Sequence, residues 1–309
     1  MTTVPAPGPH GGDGARVAAA LGVDPDAVLD LSASLNPFAP DVAALAAPHL
    51  GNLRRYPDVE AAERLLAEAV GVPGERLVLT AGGSQAIALV ADHLGRGWVD
   101  EPDFSLYRRH LPRLEPGALR WRSDPHNPTG RLAATGHDEA MVWDEAFVPL
   151  SAGTWTRGRP GWALGSLTKA FACPGLRLGF AAAPDERAAA AVRRQRPAWA
   201  VGSLGCAMLP DLLARADLGG WTARIAAARA ELARVLEAHG LEPLPSDAPW
   251  VLVAGAPEGL RDALARRAVV VRDCRSFGLV NHVRIAVPDG SGLERLDTAL
   301  ARLRDGRRS

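Results

Sequence analysis

The segment that most constrains the fold is a strand, a glycine turn and a helix in direct succession. Three apolar residues, Leu77–Leu79, are followed by Gly82-Gly83 and then by a stretch of helical apolar spacing that ends at Gly95. A short apolar run bounded by glycines is typical of a buried strand, whereas apolar spacing of three and four residues is typical of a helix. The unit therefore predicts an α/β fold that begins with a parallel sheet.

The pattern of predicted elements changes near residue 205. Before it, short strands and helices alternate as in a sheet with parallel strands; after it, a long amphipathic helix precedes several strands and helices typical of a smaller α+β domain. We therefore predict three parts: an N-terminal arm that contributes to the small domain and the active site (1–50), a large domain (51–205) and a small C-terminal domain (206–309).

Composition excludes several classes of protein. The 35 basic and 35 acidic residues cancel, so no global field attracts nucleic acid or a membrane surface. No apolar run approaches the roughly 18–20 residues of a spanning helix, and the N-terminus lacks the apolar core of a signal peptide. The three cysteines are widely spaced, without a CxxC pair or a disulfide framework. We expect a reduced cytoplasmic protein without a metal site, bound to neither nucleic acid nor membranes.

Lys169 is the only lysine among the 35 lysine and arginine residues. A codon bias towards arginine, alanine and glycine explains the scarcity of lysine but not the exception. Arginine stays protonated near neutral pH, whereas a lysine amine can lose its proton and attack a carbonyl group. The sequence therefore predicts an amine nucleophile at this position.

The residues around Lys169 read GSLTKAFACPGLRLGF, and Arg177 follows the lysine by eight positions. This segment resembles the lysine region of fold-type-I, class I/II aminotransferase-like enzymes, which use pyridoxal 5′-phosphate (PLP). The resemblance implies a PLP-dependent transferase fold, with a mixed, mostly parallel sheet in the large domain, and a Schiff base between PLP and Lys169. It assigns Ser166, Thr168 and Arg177 to the cofactor phosphate, which needs hydroxyl groups and a fork-shaped cation.

Three further motifs occur in the order of that family. In WDEAF the resemblance pairs Asp144 with the protonated pyridine nitrogen, which makes the ring an electron sink. In HNPTG it places Asn127 on the ring oxygen. At the glycine turn it places Gly83 and Ser84 on the PLP phosphate, as suits a helix N-terminus. Phe147 stands where aminotransferases often have a tyrosine, so a different proton affinity of the imine is expected.

Two aromatic residues also match the family. Phe104, in PDFSLY, corresponds to the aromatic ring that stacks on the pyridine. Tyr56, in RRYPD, corresponds to the tyrosine that reaches a cofactor phosphate across a subunit interface. The resemblance therefore implies a homodimer with shared active sites.

The N-terminal motifs HGG and LDLSASLNPFAP, with DEAF, resemble the threonine-phosphate decarboxylases of cobalamin synthesis. The implied reaction is loss of CO2 from L-threonine O-3-phosphate to give (R)-1-amino-2-propanol O-2-phosphate. Arg284, in HVRIAV, corresponds to the arginine that holds the substrate carboxylate. The candidates for binding the substrate phosphate are His10, Ser34, Asn36 and Arg272.

Two alternatives remain open. Histidinol-phosphate aminotransferases share most of these motifs, so transamination of a phosphorylated or a plain amino acid is the main one. The second follows from length: Phe104 and Asn127 are 23 residues apart and Asn127 and Asp144 are 17 apart, which is shorter than in the family. Such an abbreviated large domain is also compatible with a catalytically weak PLP-binding protein.

Overall fold

The computed structural model describes residues 3–134 and 140–305. Within them the α-helices are α1 (Gly14–Leu21), α2 (Val42–Ala46), α3 (Val59–Val70), α4 (Gly83–Leu94), α5 (Leu106–His110), α6 (Val148–Ser151), α7 (Leu167–Ala170), α8 (Glu186–Gln195), α9 (Ser203–Ala214), α10 (Leu218–Ala238), α11 (Leu260–Ala265) and α12 (Gly290–Asp305). The strands are β1 (Leu29–Leu31), β2 (Leu77–Ala81), β3 (Trp98–Val99), β4 (Arg120–Ser123), β5 (Val142–Asp144), β6 (Trp162–Ser166), β7 (Leu178–Ala182), β8 (Glu242–Pro243), β9 (Trp250–Ala254), β10 (Val269–Asp273) and β11 (Val283–Ala286).

The larger sheet has six strands in the order β2-β7-β6-β5-β4-β3. Strands β3 to β6 run parallel, whereas β7 is antiparallel to both of its neighbours, β6 and β2. Strand β2 therefore points the same way as β4, β5 and β6, and their carboxyl ends meet at one edge. The predicted α/β fold with a mostly parallel sheet is confirmed, and ligands of such sheets bind beyond this edge.

The core of the larger unit explains why its strands are continuous apolar runs. All five residues of β7 are buried, as are four of the five in β2. Helix α4 packs Ile87 and Val90 into the same cluster as Val78 and Trp121. Strands covered on both faces lose the polar alternation of half-exposed ones.

Local signals set the ends of the helices that flank β2. At the start of α3, the side chain of Asp58 accepts a hydrogen bond from the Ala61 amide at 3.0 Å, as an N-cap does. The helix ends at Gly71, whose φ of 78° is left-handed. These are the bounds, 59–70, that helical spacing predicts.

The smaller sheet has the order β1-β10-β11-β9-β8. Strand β1, from the N-terminal region, pairs in parallel with β10, while the other neighbours are antiparallel. Helix α1 packs Val17 and Ala18 against Val270 of β10. The N-terminal arm is thus part of the sheet formed by the C-terminal strands.

The chain divides into two compact units. The smaller comprises Met1–Pro37, Pro128–Arg131 and Ala223–Ser309, and the larger comprises Phe38–Asn127 and Leu132–Thr222. These bounds differ from the predicted divisions after residues 50 and 205: one boundary falls at 37, and the other lies inside α10. Among the described residues, no helix is long and apolar enough to cross a membrane.

Candidate functional site

The N-terminus of α4 lies beside the start of β7. The last residue of β2, Ala81, pairs with Leu178. Gly82 has a φ of 80°, and a Cβ added there would lie 2.5 Å from an Nη atom of Arg177. A Cβ added at Gly179 would lie 2.5 Å from the carbonyl carbon of Gly82. These glycines therefore allow the Arg177 guanidinium to approach the opening of the helix.

Hydroxyl groups from the neighbouring strand complete a polar cradle at this point. Ser166 ends β6 and pairs with Gly179, and a Cβ added at Gly83 would lie 3.5 Å from the Ser166 Cβ. The Thr168 Oγ1 atom is buried and has no hydrogen-bond partner among the described residues. Ser84 lies exposed in the first turn of α4. Amide groups of a helix N-terminus, hydroxyls and a guanidinium together favour an oxyanion.

Lys169 lies on the short helix α7, directly after β6. It is half-buried, and its Nζ is 5.7 Å from the centroid of the Phe147 ring. Its charge also lowers the pKa of Asp144. The structure therefore places the single lysine next to Thr168 of the cradle and close enough to the half-buried Asp144 for its charge to act on that carboxyl group.

Asp144 is the last residue of β5, paired in register with Ser123 on one side and Leu164 on the other. The Tyr107 hydroxyl donates to its carboxylate at 2.8 Å, and the Ala146 amide donates at 3.1 Å. Burial raises the pKa of Asp144 to about 6, although both hydrogen bonds act to lower it. A buried carboxylate of this kind is stabilised by a positively charged partner.

Phe104 and Asn127 lie around the same strand ends. The Asn127 amide donates to the Ser123 Oγ at 2.7 Å. The Phe104 ring meets the Tyr107 ring edge-on, with centroids 5.8 Å apart. The larger unit thus collects around one sheet edge the cofactor residues predicted from the sequence, except Tyr56.

Tyr56 lies elsewhere on the larger unit. Tyr56 is 77% exposed, and its ring packs against that of Trp199 at a tilt of 36°, with centroids 4.6 Å apart. Leu50 and Leu53, one to two turns earlier in the chain, are exposed as well. A cluster of exposed large apolar residues is typical of a surface that another protein covers.

Sequence reasoning missed Tyr107, Asp103 and an ion-pair cluster behind the strand ends. In that cluster the fully buried Asp124 accepts a hydrogen bond from Arg157 at 2.8 Å and forms an ion pair with Arg159 at 3.1 Å. The Arg159 guanidinium in turn lies over the Trp143 ring. The only available signal was that Tyr107 is one of two tyrosines in the chain; the arginines stand among many.

The smaller unit holds the predicted substrate residues, beginning with two arginines on adjacent strands. Arg272 of β10 pairs in register with Arg284 of β11, and both are buried. The Arg284 guanidinium lies 4.8 Å from the centroid of the Trp250 ring. Burial lowers the pKa of Arg284 to about 10; the neighbouring Cys274 opposes this, and the charge of Arg272 adds to it.

Arg272 also holds the N-terminal arm. Its guanidinium donates to the carbonyl oxygens of Gly8, at 2.9 Å, and Pro9 and to the Ser276 hydroxyl at 2.8 Å. The next residue, His10, is half-buried. The arm therefore places His10 beside a buried cation.

The glycines after His10 fit closely against the segment that follows β1. A Cβ added at Gly11 would lie 2.0 Å from the Ser32 carbonyl oxygen, and the Gly12 amide donates to the Ser32 Oγ at 2.9 Å. In the same segment Asn36 is buried. The Ser34 Oγ is also buried and has no hydrogen-bond partner in the described part of the chain.

Comparison with known proteins identifies the family of the chain and several relatives. The family described as aminotransferase class I and II matches residues 123–303. The chain is 29% identical over 354 aligned residues to a threonine-phosphate decarboxylase of Salmonella typhimurium, covering 96% of this chain and 97% of the relative. It is also 29% identical over 351 residues to a histidinol-phosphate aminotransferase of Halorubrum lacusprofundi, covering 94% and 92%.

Among solved structures, histidinol-phosphate aminotransferase from Sinorhizobium meliloti in complex with pyridoxal 5′-phosphate superposes with a TM-score of 0.78. The identity is 18%, and 93% of each chain is covered, so this likeness shows the fold. The two sequence alignments are longer than the chain itself and therefore contain gaps.

The residues of the larger unit fit PLP. The cofactor carries a phosphate, an aldehyde and a pyridine nitrogen. The cradle with the buried, unpartnered Thr168 Oγ1 suits the phosphate, the amine of Lys169 suits the aldehyde, and the buried carboxyl of Asp144 suits the nitrogen. PLP is therefore the cofactor for which this site is built.

Proposed function

The chain belongs to the aminotransferase class I and II family, and on that premise we propose that it decarboxylates L-threonine O-3-phosphate to (R)-1-amino-2-propanol O-2-phosphate. The observation that carries the proposal is the pair of buried arginines, Arg272 and Arg284, in register on neighbouring strands. Two buried like charges repel, and anions bound beside them offset that cost. A substrate with two anionic ends matches this arrangement.

When bound, PLP supplies an aldehyde that an amine can attack and a ring that withdraws electrons. Lys169, half-buried beside Asp144, would provide the amine. Asp144, as an anion, would hold a proton on the pyridine nitrogen. Phe104 would cover the ring, and Asn127 would donate to the ring oxygen. The residues proposed to hold the phosphate are Gly83, Ser84, Ser166, Thr168, Arg177 and, from a second subunit, Tyr56.

In the smaller unit, Arg284 would hold the substrate carboxylate as a bidentate partner. The substrate phosphate would bind the other residues predicted for the substrate, which are Arg272, His10, Asn36 and Ser34 with its unpartnered hydroxyl. Binding at both ends would restrict rotation of a short amino acid and so favour cleavage of one particular bond at Cα. In the proposed reaction this is the bond to the carboxylate: the carboxylate would leave as CO2, the electron pair would stay with Cα, and a proton from Lys169 would replace the lost group.

The test is incubation of the purified protein with PLP and threonine phosphate, with separate assays for CO2 and for a keto acid. We expect CO2 and aminopropanol phosphate, and far slower turnover of plain threonine. Better turnover of unphosphorylated amino acids would overturn the proposal in favour of a general aminotransferase.

Transamination is the second candidate. The observation that favours it is that a histidinol-phosphate aminotransferase is as similar to this chain, at 29% identity, as the decarboxylase. Formation of glutamate, together with the ketone phosphate that corresponds to histidinol phosphate, in the presence of histidinol phosphate and 2-oxoglutarate would support it. Binding of PLP without turnover of either substrate would instead support a catalytically weak PLP-binding protein.

We also propose that the protein is a homodimer with shared active sites. The exposed cluster of Tyr56, Leu50, Leu53 and Trp199 supports a covered surface, and symmetric dimers use the same patch twice. Light scattering should give a mass of two chains. A monomer that binds PLP normally at every concentration would contradict this proposal.

A further inference from the structure

A second buried carboxyl group lies near Asp144. Asp103 is 3% exposed and directly precedes Phe104. Its carboxylate accepts hydrogen bonds from the Ser123 amide at 3.1 Å, from the Ser123 hydroxyl, and from the Phe104 amide at 2.6 Å. Asp103 therefore fixes both the end of β4 and the backbone of Phe104.

Tyr107 connects this group to Asp144. Its hydroxyl donates to the Asp144 carboxylate at 2.8 Å and also hydrogen-bonds with Ser123. Tyr107 is fully buried. The side chains of Asp103, Ser123, Tyr107 and Asp144 thus form one continuous chain of hydrogen-bonding oxygens inside the larger unit.

One proton decides whether every contact in this row of four side chains has a hydrogen to donate. Three contacts join the four groups, and each needs one hydrogen. With both carboxyl groups ionised, only the Ser123 and Tyr107 hydroxyls supply hydrogens, so one contact lacks a donor. One added proton completes the chain: Asp103 donates to Ser123, Ser123 to Tyr107, and Tyr107 to an ionised Asp144.

We propose that Asp103 and Asp144 share a single proton through Ser123 and Tyr107, and that Asp103 is a positioning residue that keeps Asp144 ionised. The inference rests on the proposed role of Asp144 opposite the cofactor nitrogen. With the shared proton at the Asp103 end, all three hydrogen bonds point towards Asp144 and leave it as the anion. The ordering of Phe104 and of the Asn127 amide depends on the same groups.

The electrostatics of the surrounding elements agree with one shared proton. Burial raises the pKa of Asp103 and of Asp144 to about 6, and the charge of Asp103 further raises that of Asp144. Lys169 of α7 lowers the pKa of Asp144, and Arg122 of β4 lowers that of Asp103. Interacting groups of this kind release their protons in two steps that belong to the pair.

The test is infrared titration of the carboxyl bands of the full-length chain without PLP, with Asp144→Asn used to assign the Asp144 signal. In Asp103→Asn the amide N–H can replace the proton donor while the like charge is removed, so the titration midpoint of Asp144 should fall. In Tyr107→Phe the carboxylate loses its donor, so the midpoint should rise. Hydrogen bonds to charged groups correspond to shifts of about one pH unit.

The opposite signs separate this proposal from a merely structural role. Tyr56→Phe removes the other tyrosine hydroxyl and should leave the Asp144 midpoint unchanged. Shifts of the same sign in both variants, or no shift in either, would overturn the proposal. Ser123→Ala is the second variant: it should narrow the interval between the two titration steps, and an unchanged interval would contradict a shared proton. Since no substrate is present, failure here is distinguishable from failure of the proposed decarboxylation.

Discussion

The two units assemble their charged residues in different ways. In the larger unit, two of the groups proposed to hold PLP are of opposite sign and lie at strand ends: Lys169 follows β6, and Asp144 ends β5. In the smaller unit, the pairing of β10 with β11 sets Arg272 and Arg284 side by side. Arg272 also donates a hydrogen bond to the Gly8 carbonyl oxygen of the N-terminal arm. The proposed cofactor residues of the larger unit therefore include charges of both signs, whereas the proposed substrate residues of the smaller unit include two adjacent guanidinium groups of like charge.

This difference agrees with the proposed roles of the two units, cofactor binding in the larger and substrate binding in the smaller. Groups with built-in partners keep their geometry whether or not a ligand is bound, as a permanently held cofactor needs. Adjacent buried guanidinium groups are costly without an anion, so their geometry favours binding of a charged substrate that enters and leaves. Four predictions test that contrast.

The largest effect is expected at Lys169. In Lys169→Ala, borohydride should no longer attach PLP covalently to a side chain, and turnover should fall below detection, because no other lysine is present. Mass spectrometry of the reduced protein measures the attachment. Lys169→Arg is the matched control: it keeps the charge near Asp144 but lacks the nucleophile, so it should fail as well. Turnover retained in Lys169→Arg would mean that charge, rather than the amine, matters here.

The second effect concerns the built-in counter-charge. Asp144→Asn should still bind PLP through the phosphate cradle but lose roughly a hundred-fold or more of its turnover, because a neutral side chain stabilises the charged ring poorly. Absorbance titration with PLP and steady-state kinetics measure the two properties. Near-normal turnover would show that Asp144 only ends a strand and does not act on the cofactor.

The third prediction addresses the smaller unit. Arg272→Ala should raise KM for threonine phosphate about ten-fold, since a charge-assisted contact contributes ~1.5–3 kcal/mol and ~1.4 kcal/mol corresponds to one decade. Plain threonine should be affected much less. Arg275→Ala, an exposed arginine paired with Asp273, is the control and should leave both unchanged.

Arg272 also donates hydrogen bonds to the carbonyl groups of Gly8 and Pro9, so its removal could affect the N-terminal arm and not the substrate phosphate. Equal weakening of both substrates would show that the arginine anchors the arm and does not bind the phosphate. The contrast between the units would then rest on Arg284 alone.

The smallest effect is on stability against pH. Asp103 and Asp144 have pKa values raised from 3.8 to about 6, so the folded chain binds more protons than the unfolded chain between those values. Their stabilising contribution is therefore complete below pH ~3.8 and is lost as the pH rises through about 6. Between pH 5 and pH 7.5, the midpoint temperature of thermal unfolding should decrease more in the wild type than in Asp103→Asn. Equal decreases would mean that Asp103 does not titrate in this range.

The sequence by itself predicted most residues of the proposed cofactor site. The cradle and the lysine lie in short motifs, because a strand end, a glycine turn and a helix N-terminus are neighbours in the chain. Apolar residues predict a helix from Val59 to Val70 and a strand from Trp250 to Ala254, and α3 and β9 have these bounds. The short helices α5 and α7 and the two-residue strand β3 were not predicted, because so few residues show no period.

Only the tertiary structure decided what surrounds those motifs. Asp103, Ser123, Tyr107 and Asp144 are spread over about forty positions of the sequence. They meet because β4 and β5 pair in register and because the Tyr107 hydroxyl of α5 reaches Asp144. Likewise, Arg272 meets the carbonyl groups of Gly8 and Pro9 because β1 joins β10 in one sheet. Burial and hydrogen-bond direction set the proton affinities of such groups, and neither exists until distant segments of the chain have packed together.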